Sequence, residues 1–410
     1  MRILHTVCLL TIGFTALIEA QTANETKALI TKLLAEYNKD VRPVTYQSET
    51  VYVYCSFTLN SIIDFNDQEE SIKLAGYLLI IWSDEFLTWT PTDYGGIDTI
   101  FLPQDDIWRP DAALQNAFKE VTDLGSKYLK VQIDSKGLVV WAPYQIFHST
   151  CDVNIKYFPF DVQECQITIT AWSYTDEYVR IDINEDDPID HFLYKENAMW
   201  TLIDTSAEAY GPTVIFKIKM KRKPNHVVIN ILVPLLLLSF LAVLTFVLPV
   251  TSGERASYAV TIFLSVAVFL TILSSELPSS SDNVPILSIY LAILCFDTTA
   301  IVVVTLLQLR LLTRDESDQP VNGCFKIIYS ITMAIRCKTG GKKRGHSNNN
   351  ENNGVDVMTK TLSWLEVVNA LDFLFFWFFL FCTVAVTTYY FVICTTNQSD
   401  EENLQEIGNF

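Results

Sequence analysis

The chain has 410 residues, half of them hydrophobic, and a formal charge of -18. An acidic balance of this size favours cations as neighbours and argues against nucleic acid as a partner. No HExxH, GxSxG, P-loop or catalytic Cys-His pattern occurs and the five histidines are scattered, which argues against an enzyme and offers no metal or cofactor site.

Residues 1–20 carry Arg2, an apolar run and Ala20, the pattern of a secretory signal ending near Gln21; an uncleaved anchor helix is the alternative. Leu29, Leu33, Leu34 and Tyr37 recur at helical spacing, so a short helix is expected over 26–39. From Thr50 the pattern turns to alternating, β-rich runs: "TVYVYCSFTLNSII", "LAGYLLIIWSD", "KYLKVQID", "GLVVWAPYQIF", "QECQITITAW" and "TVIFKIKMKRK". Pro, Gly, Asn and Asp separate them, which predicts an all-β sandwich.

Four later segments, 226–248, 257–273, 284–309 and 371–394, are long and apolar enough to cross a bilayer. An exported start and four crossings put both termini outside the plasma membrane. Lys326, Arg336, Lys338, Lys342, Lys343 and Arg344 fall between crossings three and four with no acid among them, so that connection is cytoplasmic. The apolar and basic positions of 325–336 suit either a helix lying on the inner leaflet or an ordinary loop. "GGKKRGHSNNNENNG" (340–354) reads as a flexible linker. Asn24 and Asn397 head glycosylation sequons on the outer side.

The expected organisation is a signal peptide (1–20), an extracellular β-sandwich (21–224), crossings one to three (225–312), a short cytoplasmic loop (313–363), crossing four (364–395) and an extracellular tail (396–410).

Of nine cysteines, Cys8 lies in the signal, Cys295, Cys382 and Cys394 in crossings, and Cys324 and Cys337 on the reducing side. Cys55, Cys151 and Cys165 remain outside, and Cys55 sits within a strand run. Pairing Cys151 with Cys165 closes a loop of about fifteen residues, worth on the order of 3 kcal/mol as a chain-entropy effect. It can be read as a staple and nothing more. Yet Phe158 and Phe160 flank Pro159 at its tip, and a greasy tip on a soluble domain needs a surface to press against. The top of the membrane bundle is the available one.

The loop, with "WSDEFLTW" (82–89), "WRPD" (108–111), "AWSY" (171–174), Arg222, Pro234, "SGER" (252–255) and "SDNVP" (281–285), resembles the Cys-loop family of pentameric ligand-gated ion channels, in its nicotinic branch. The resemblance covers nearly the whole mature chain. It implies a β + α membrane protein, an extracellular β-sandwich ligand-binding domain followed by a four-helix transmembrane domain, built as a homopentamer or a heteropentamer of related subunits.

In crossing two, Ser257, Thr261, Leu264, Val268, Thr271 and Ser275 share one helical face, hydroxylated at both ends and aliphatic between. A water-filled pore with a dewetting gate requires that pattern, and a dry packing face suits it equally well. Glu254 breaks the tie, since the resemblance implies a ring of carboxylates at the cytoplasmic mouth that selects permeant cations. "SGER" lacks the Pro-Ala insertion of anion-selective relatives. Thr251 and Glu276 depart from the nicotinic pattern.

The resemblance also implies an aromatic cage between subunits, where rings attract a quaternary ammonium. Trp172 matches its central tryptophan, Tyr77 an aromatic from the neighbouring subunit and Tyr210 a tyrosine of the capping loop. Trp172 can equally be a sandwich core residue. Gln115 replaces an expected tyrosine, the segment "WTLIDTSAEAYGPTV" has no vicinal cysteine pair and looks short, and Val140 and Ala142 are small and apolar around Trp141. This lining favours a small hydrophobic ligand. Within the nicotinic branch, the altered cage, the absent cysteine pair and the short cytoplasmic loop are similar to the cephalopod chemotactile receptors, which implies a sensory channel for poorly soluble or bitter molecules. An acetylcholine-gated channel and a non-binding accessory subunit are the alternatives. For coupling, Arg222 is expected to pair with acids near the membrane, and Phe158, Pro159 and Phe160 to bear on the Pro285 turn.

Overall fold

The computed structural model describes residues 21–183, 188–276, 284–314, 320–321, 323–339 and 362–408. The signal segment 1–20 and the linker 340–354 lie outside the described residues. Two compact units result, one from Met1–Val153 with Val162–Lys221, the other from Asn154–Asp161 with Arg222–Phe410. Residues 154–161, the inner part of the cysteine loop, thus belong with the helices.

The first unit opens with α1 (Ala23–Leu34). It begins earlier than expected because Thr22 and Glu25 form a reciprocal cap: the Thr22 hydroxyl accepts the Glu25 N–H at 3.3 Å and the Glu25 carboxylate accepts the Thr22 N–H at 2.8 Å. It also ends before Tyr37, whose hydroxyl donates instead to Asp84 at 2.7 Å.

Two sheets follow. The larger runs β10 (Ile189–Asp190), β1 (Val51–Asn66), β2 (Ser71–Ser83), β6 (Leu138–Trp141), β5 (Lys130–Asp134), β3 (Thr99–Pro103), with β7 (Tyr144–Thr150) on β2 and β9 (Val179–Ile183) on β1. The smaller runs β11 (Trp200–Tyr210), β12 (Thr213–Arg222), β8 (Val162–Ala171), β4 (Ala112–Leu114). Alternation decides what faces inward: Val51, Val53, Cys55 and Phe57 are buried on β1 while Tyr52 and Tyr54 are exposed. The Phe57 ring centroid lies 5.4 Å from that of Phe147 on β7 of the same sheet and 5.7 Å from that of Phe216 on β12 of the other sheet. Beside it Gly76 is required, since a Cβ there would strike the Thr58 carbonyl and stand 2.8 Å from the Phe57 ring. The run "GLVVWAPYQIF" divides into β6 and β7 at Pro143, which has no N–H for a ladder.

The second unit contains α2 (Asn225–Phe246), α3 (Arg255–Glu276), α4 (Ile286–Leu312), α5 (Gly323–Thr339) and α6 (Trp364–Gly408). Four of them, all but α5, are long and apolar enough to cross a membrane. Before Pro234, α2 widens into one π turn, in which the Val233 N–H reaches the Val228 carbonyl. Val243 and Phe246 of α2, Ile262 of α3, Ile301 of α4 and Phe379 of α6 form the bundle core, with Phe246 stacked on Phe379 at 5.5 Å. Residues 325–336, left open between helix and loop, are helical within α5, and Phe325 meets Trp364 of α6 edge-on at 5.4 Å. α6 extends beyond the expected 371–394 at both ends.

Candidate functional site

At one end of the smaller sheet, Ala112 of β4 pairs with Ala171 of β8, which brings Asp111 beside Trp172. The Trp172 N–H donates to the Asp111 carbonyl at 3.3 Å and the Ser173 N–H to the Asp111 carboxylate at 2.6 Å. So held, Trp172 is 62% exposed and is not a core residue of the protomer. The β11–β12 hairpin turns through Gly211 and Pro212 alone, with Gly211 in the left-handed region at φ 58°, so the capping segment is short. The Ala171 N–H donates to the Pro212 carbonyl at 2.9 Å, which sets this turn against the residue before Trp172. Tyr210, also 62% exposed, donates its hydroxyl to Glu208 at 2.9 Å, and Lys217 donates to the other oxygen of that carboxylate at 2.6 Å. These hydrogen bonds hold the Glu208 carboxyl below its usual range. Gln115 is exposed further along the same strand pair, its N–H on the Thr168 carbonyl at 2.8 Å.

The other candidates lie on the larger sheet. Tyr77 of β2 is half-buried between Thr58 and Tyr144, on the same outward face as Leu79 and Ile81, and Ile81 pairs with Val140. Val140 and Ala142 are half-buried. Trp141 departs from the expectation: it is 1% exposed, points into the sandwich, donates its indole N–H to Gln104 at 3.0 Å and lies under the Arg109 guanidinium at 5.0 Å. Strand alternation is the reason, since flanking Val140 and Ala142 take the outer face.

Cys151 and Cys165 form the disulfide, with Cα atoms 5.1 Å apart. Cys55 is free on β1, and burial pushes its thiol up to about 12. In the second unit, Phe158 and Pro159 are buried around a cis peptide and Phe160 is half-buried. The Arg222 guanidinium grips Asp161 with two contacts, 2.8 and 3.1 Å, and lies 4.9 Å from the Phe158 ring centre. Beside buried Pro285, the Ile286 N–H donates to the Lys156 carbonyl at 3.0 Å. A contact that sequence reasoning missed is the Tyr390 hydroxyl of α6 donating to the Phe158 carbonyl at 3.3 Å.

On α3, Ala259, Ile262, Val266 and Leu273 are buried, while Ser257, Thr261, Leu264, Val268 and Thr271 are exposed, with Leu264 at 57% and Val268 at 58%. Among the described residues, that face is therefore left open in its own protomer. Ser275 lies in α3 with its side chain outside the described set, and Asn397 stands likewise in α6; Asn24 is exposed on α1. Glu254 is exposed immediately before a buried Arg255. Arg255 meets both oxygens of Asp372 at 3.0 and 2.6 Å and Gln308 at 2.8 Å, which ties α3 to α6 and α4. Asp372 was findable, as an acid inside an apolar crossing always needs a partner.

Residues 26–224 match the family model described as the neurotransmitter-gated ion-channel ligand binding domain, and 231–326 match the neurotransmitter-gated ion-channel transmembrane region. The chain is 32% identical over 303 residues to the acetylcholine receptor subunit gamma of Bos taurus, covering 69% of this chain and 58% of that one. It is 30% identical over 341 residues to the neuronal acetylcholine receptor subunit alpha-6 of Mus musculus, covering 79% and 67%. With the acetylcholine receptor subunit alpha-1-A of Xenopus laevis it shares 31% over 326 residues, covering 76% and 70%. The chain thus spans between about three fifths and seven tenths of the length of these relatives. With a β-sandwich matching the one domain and apolar helices the other, the chain belongs to the neurotransmitter-gated ion-channel family, among the relatives of nicotinic acetylcholine receptor subunits.

Proposed function

We propose that the protein is a ligand-gated cation channel of the plasma membrane, a homopentamer or heteropentamer with related subunits, opened by a small hydrophobic molecule between subunits in a chemosensory role. The reading rests on one observation. Trp172 and Tyr210 are open at one end of the smaller sheet and Gln115 is exposed further along it, while Tyr77 and Val140 lie on the larger sheet and Ala142 directly after β6; by the family resemblance one chain would supply the first set and its neighbour in the ring the second. Such a lining gives a quaternary ammonium few ring faces and gives a hydrocarbon skeleton apolar area to cover, at about 25 cal/mol per Å2. Acetylcholine is the second reading, favoured by the retained Trp172, Tyr77 and Tyr210 and by the names of the relatives.

Whole-cell current from this chain expressed alone, challenged with acetylcholine and with a panel of terpenoids and bitter compounds, separates the readings. Cation current to the panel and silence to acetylcholine is the expected result. Current to acetylcholine instead would select the second reading. A correctly assembled, silent surface protein would make the chain an accessory subunit.

A further inference from the structure

The outer face of the larger sheet carries a cavity that the channel reading does not use. Its volume is about 670 Å3, and β1, β2 and β6 run side by side beneath it. Tyr54 pairs with Ile81 and Ser83 with Leu138, and alternation turns all four outward because Val53 and Trp82 take the core. Tyr52 shares this face, and the rings of Tyr52 and Tyr54 are 55% and 50% exposed. One wall is the turn before β1, which Arg42 fixes from within. Its guanidinium is 7% exposed and donates to the Glu49 carbonyl at 2.7 Å, to the Tyr178 carbonyl at 3.0 Å and to the Gln47 carbonyl. From the other side the Thr45 N–H donates to the Glu85 carboxylate at 2.7 Å, and the Glu85 N–H to the Pro43 carbonyl at 3.1 Å. These hydrogen bonds form the cavity before anything enters it, which lowers the ordering cost of a ligand.

The charge of this cavity is one-sided. Glu49 and Glu85 line it, and among the described residues no Lys, Arg or His does. The donors of Arg42 are taken by carbonyls, so it pairs with neither carboxylate. The hydrogen bonds from Thr45 hold the Glu85 carboxyl below its usual range, so it is ionised at neutral pH. Nearby, the Arg42 guanidinium already lies over the Tyr178 ring at 4.8 Å, whereas no described cation stands over Tyr52 or Tyr54. Open ring faces attract an ammonium group. A bare metal ion would use oxygen ligands alone and leave the rings, Ile81 and Leu138 without a role. We propose that this cavity binds an amine with an apolar body, its ammonium group beside Glu49 and Glu85 and its body on Tyr52, Tyr54 and Ile81. Val140 pairs with Ile81 yet does not line the cavity, and Trp172 and Tyr210 belong to the other sheet. All the residues invoked come from one chain, so the assignment does not depend on what binds between subunits.

The test uses the full chain in phospholipid nanodiscs and a diazirine-bearing phenylbutylamine, with cross-links mapped by mass spectrometry. Phenylbutylamine and phenylbutanol serve as competitors, alike in skeleton and different in charge. Labelling of the β1 and β2 peptides that carry Tyr54 and Ile81 should fall with the amine and persist with the alcohol, a comparison that needs no variant. Glu49→Gln combined with Glu85→Gln should weaken labelling about tenfold, and Tyr52→Leu combined with Tyr54→Leu about fivefold, whereas Tyr54→Phe, which keeps a ring face, should stay within about twofold. Trp172→Ala, which alters the lining proposed between subunits, should leave labelling of these peptides within about twofold. Equal competition by the alcohol, stronger competition by calcium ions than by the amine, undiminished labelling of the double glutamate variant, or loss of labelling in Trp172→Ala would each overturn the assignment. Because the readout is binding at β1 and β2, failure of the gating experiment would leave it standing.

Discussion

At residue scale, the pair Arg222–Asp161 carries the clearest consequence, because the Asp161 side chain is only 1% exposed and its two oxygens meet two guanidinium nitrogens. Removing one partner of a buried pair leaves an uncompensated charge, at a cost of about 3 to 5 kcal/mol. Arg222→Ala should therefore lower the thermal midpoint of the purified protein and abolish gating. Arg222→Lys should recover part of the midpoint and less of the gating, since an ammonium cannot reproduce the two-pronged contact. Full currents from Arg222→Ala at normal surface density would remove this pair from the coupling path. Cys55 offers an independent check on the sandwich. Burial pushes its thiol up to about 12, so at pH 8 almost no thiolate exists to react. A maleimide should leave Cys55 unmodified in the folded protein and modify it after denaturation; rapid labelling in native buffer would mean that β1 opens.

At the scale of elements, a polar knot ties α3 to two other helices. Arg255 is 1% exposed, and Asp372 and Gln308 are its hydrogen-bond partners on two other helices. Asp372→Leu should destabilise assembly by a few kcal/mol, whereas Arg255→Met with Asp372→Leu should restore much of it, since a well-packed apolar pair replaces a buried ion pair at little loss. Yield of assembled protein by size-exclusion chromatography reads this directly; a double variant as poor as the single would show that the knot specifies the helix arrangement. The same elements show what the sequence makes legible. Strand alternation in "TVYVYC" and four apolar segments announce β1 and the crossings, because burial periodicity is written locally. β4 at three residues and β10 at two are too short to carry a period. Trp141 illustrates a further limit: in "LVVW" nothing local tells which alternate face is the core. Arg255 and Asp372 are 117 positions apart, so their pairing is a property of the folded bundle, although each was conspicuous as a charge beside or within apolar sequence.

For the whole molecule, the charge at the mouth of a pore depends on both neighbours in "GER". Arg255 would place a positive ring there, opposing the carboxylates, if its guanidinium faced the axis. It does not: it is turned into the bundle and paired with Asp372, so that in the proposed pore exposed Glu254 would be the charge that sets the local field. In a ring of related subunits every copy contributes the same charge, so one substitution acts several times over within a Debye length of about 8 Å at physiological salt. Glu254→Gln should reduce single-channel conductance to cations while retaining their selectivity in part, and Glu254→Lys should shift the reversal potential toward that of chloride in a sodium chloride gradient. Asp372→Asn supplies the complementary case, since it removes the countercharge of Arg255 without touching Glu254. Any channels of that variant that reach the surface should show reduced cation conductance in the same direction as Glu254→Gln. A reversal potential indifferent to Glu254→Lys would place the selectivity region elsewhere on the α3 face, among Ser257, Thr261 and Thr271, where only hydroxyl dipoles are available to discriminate between ions.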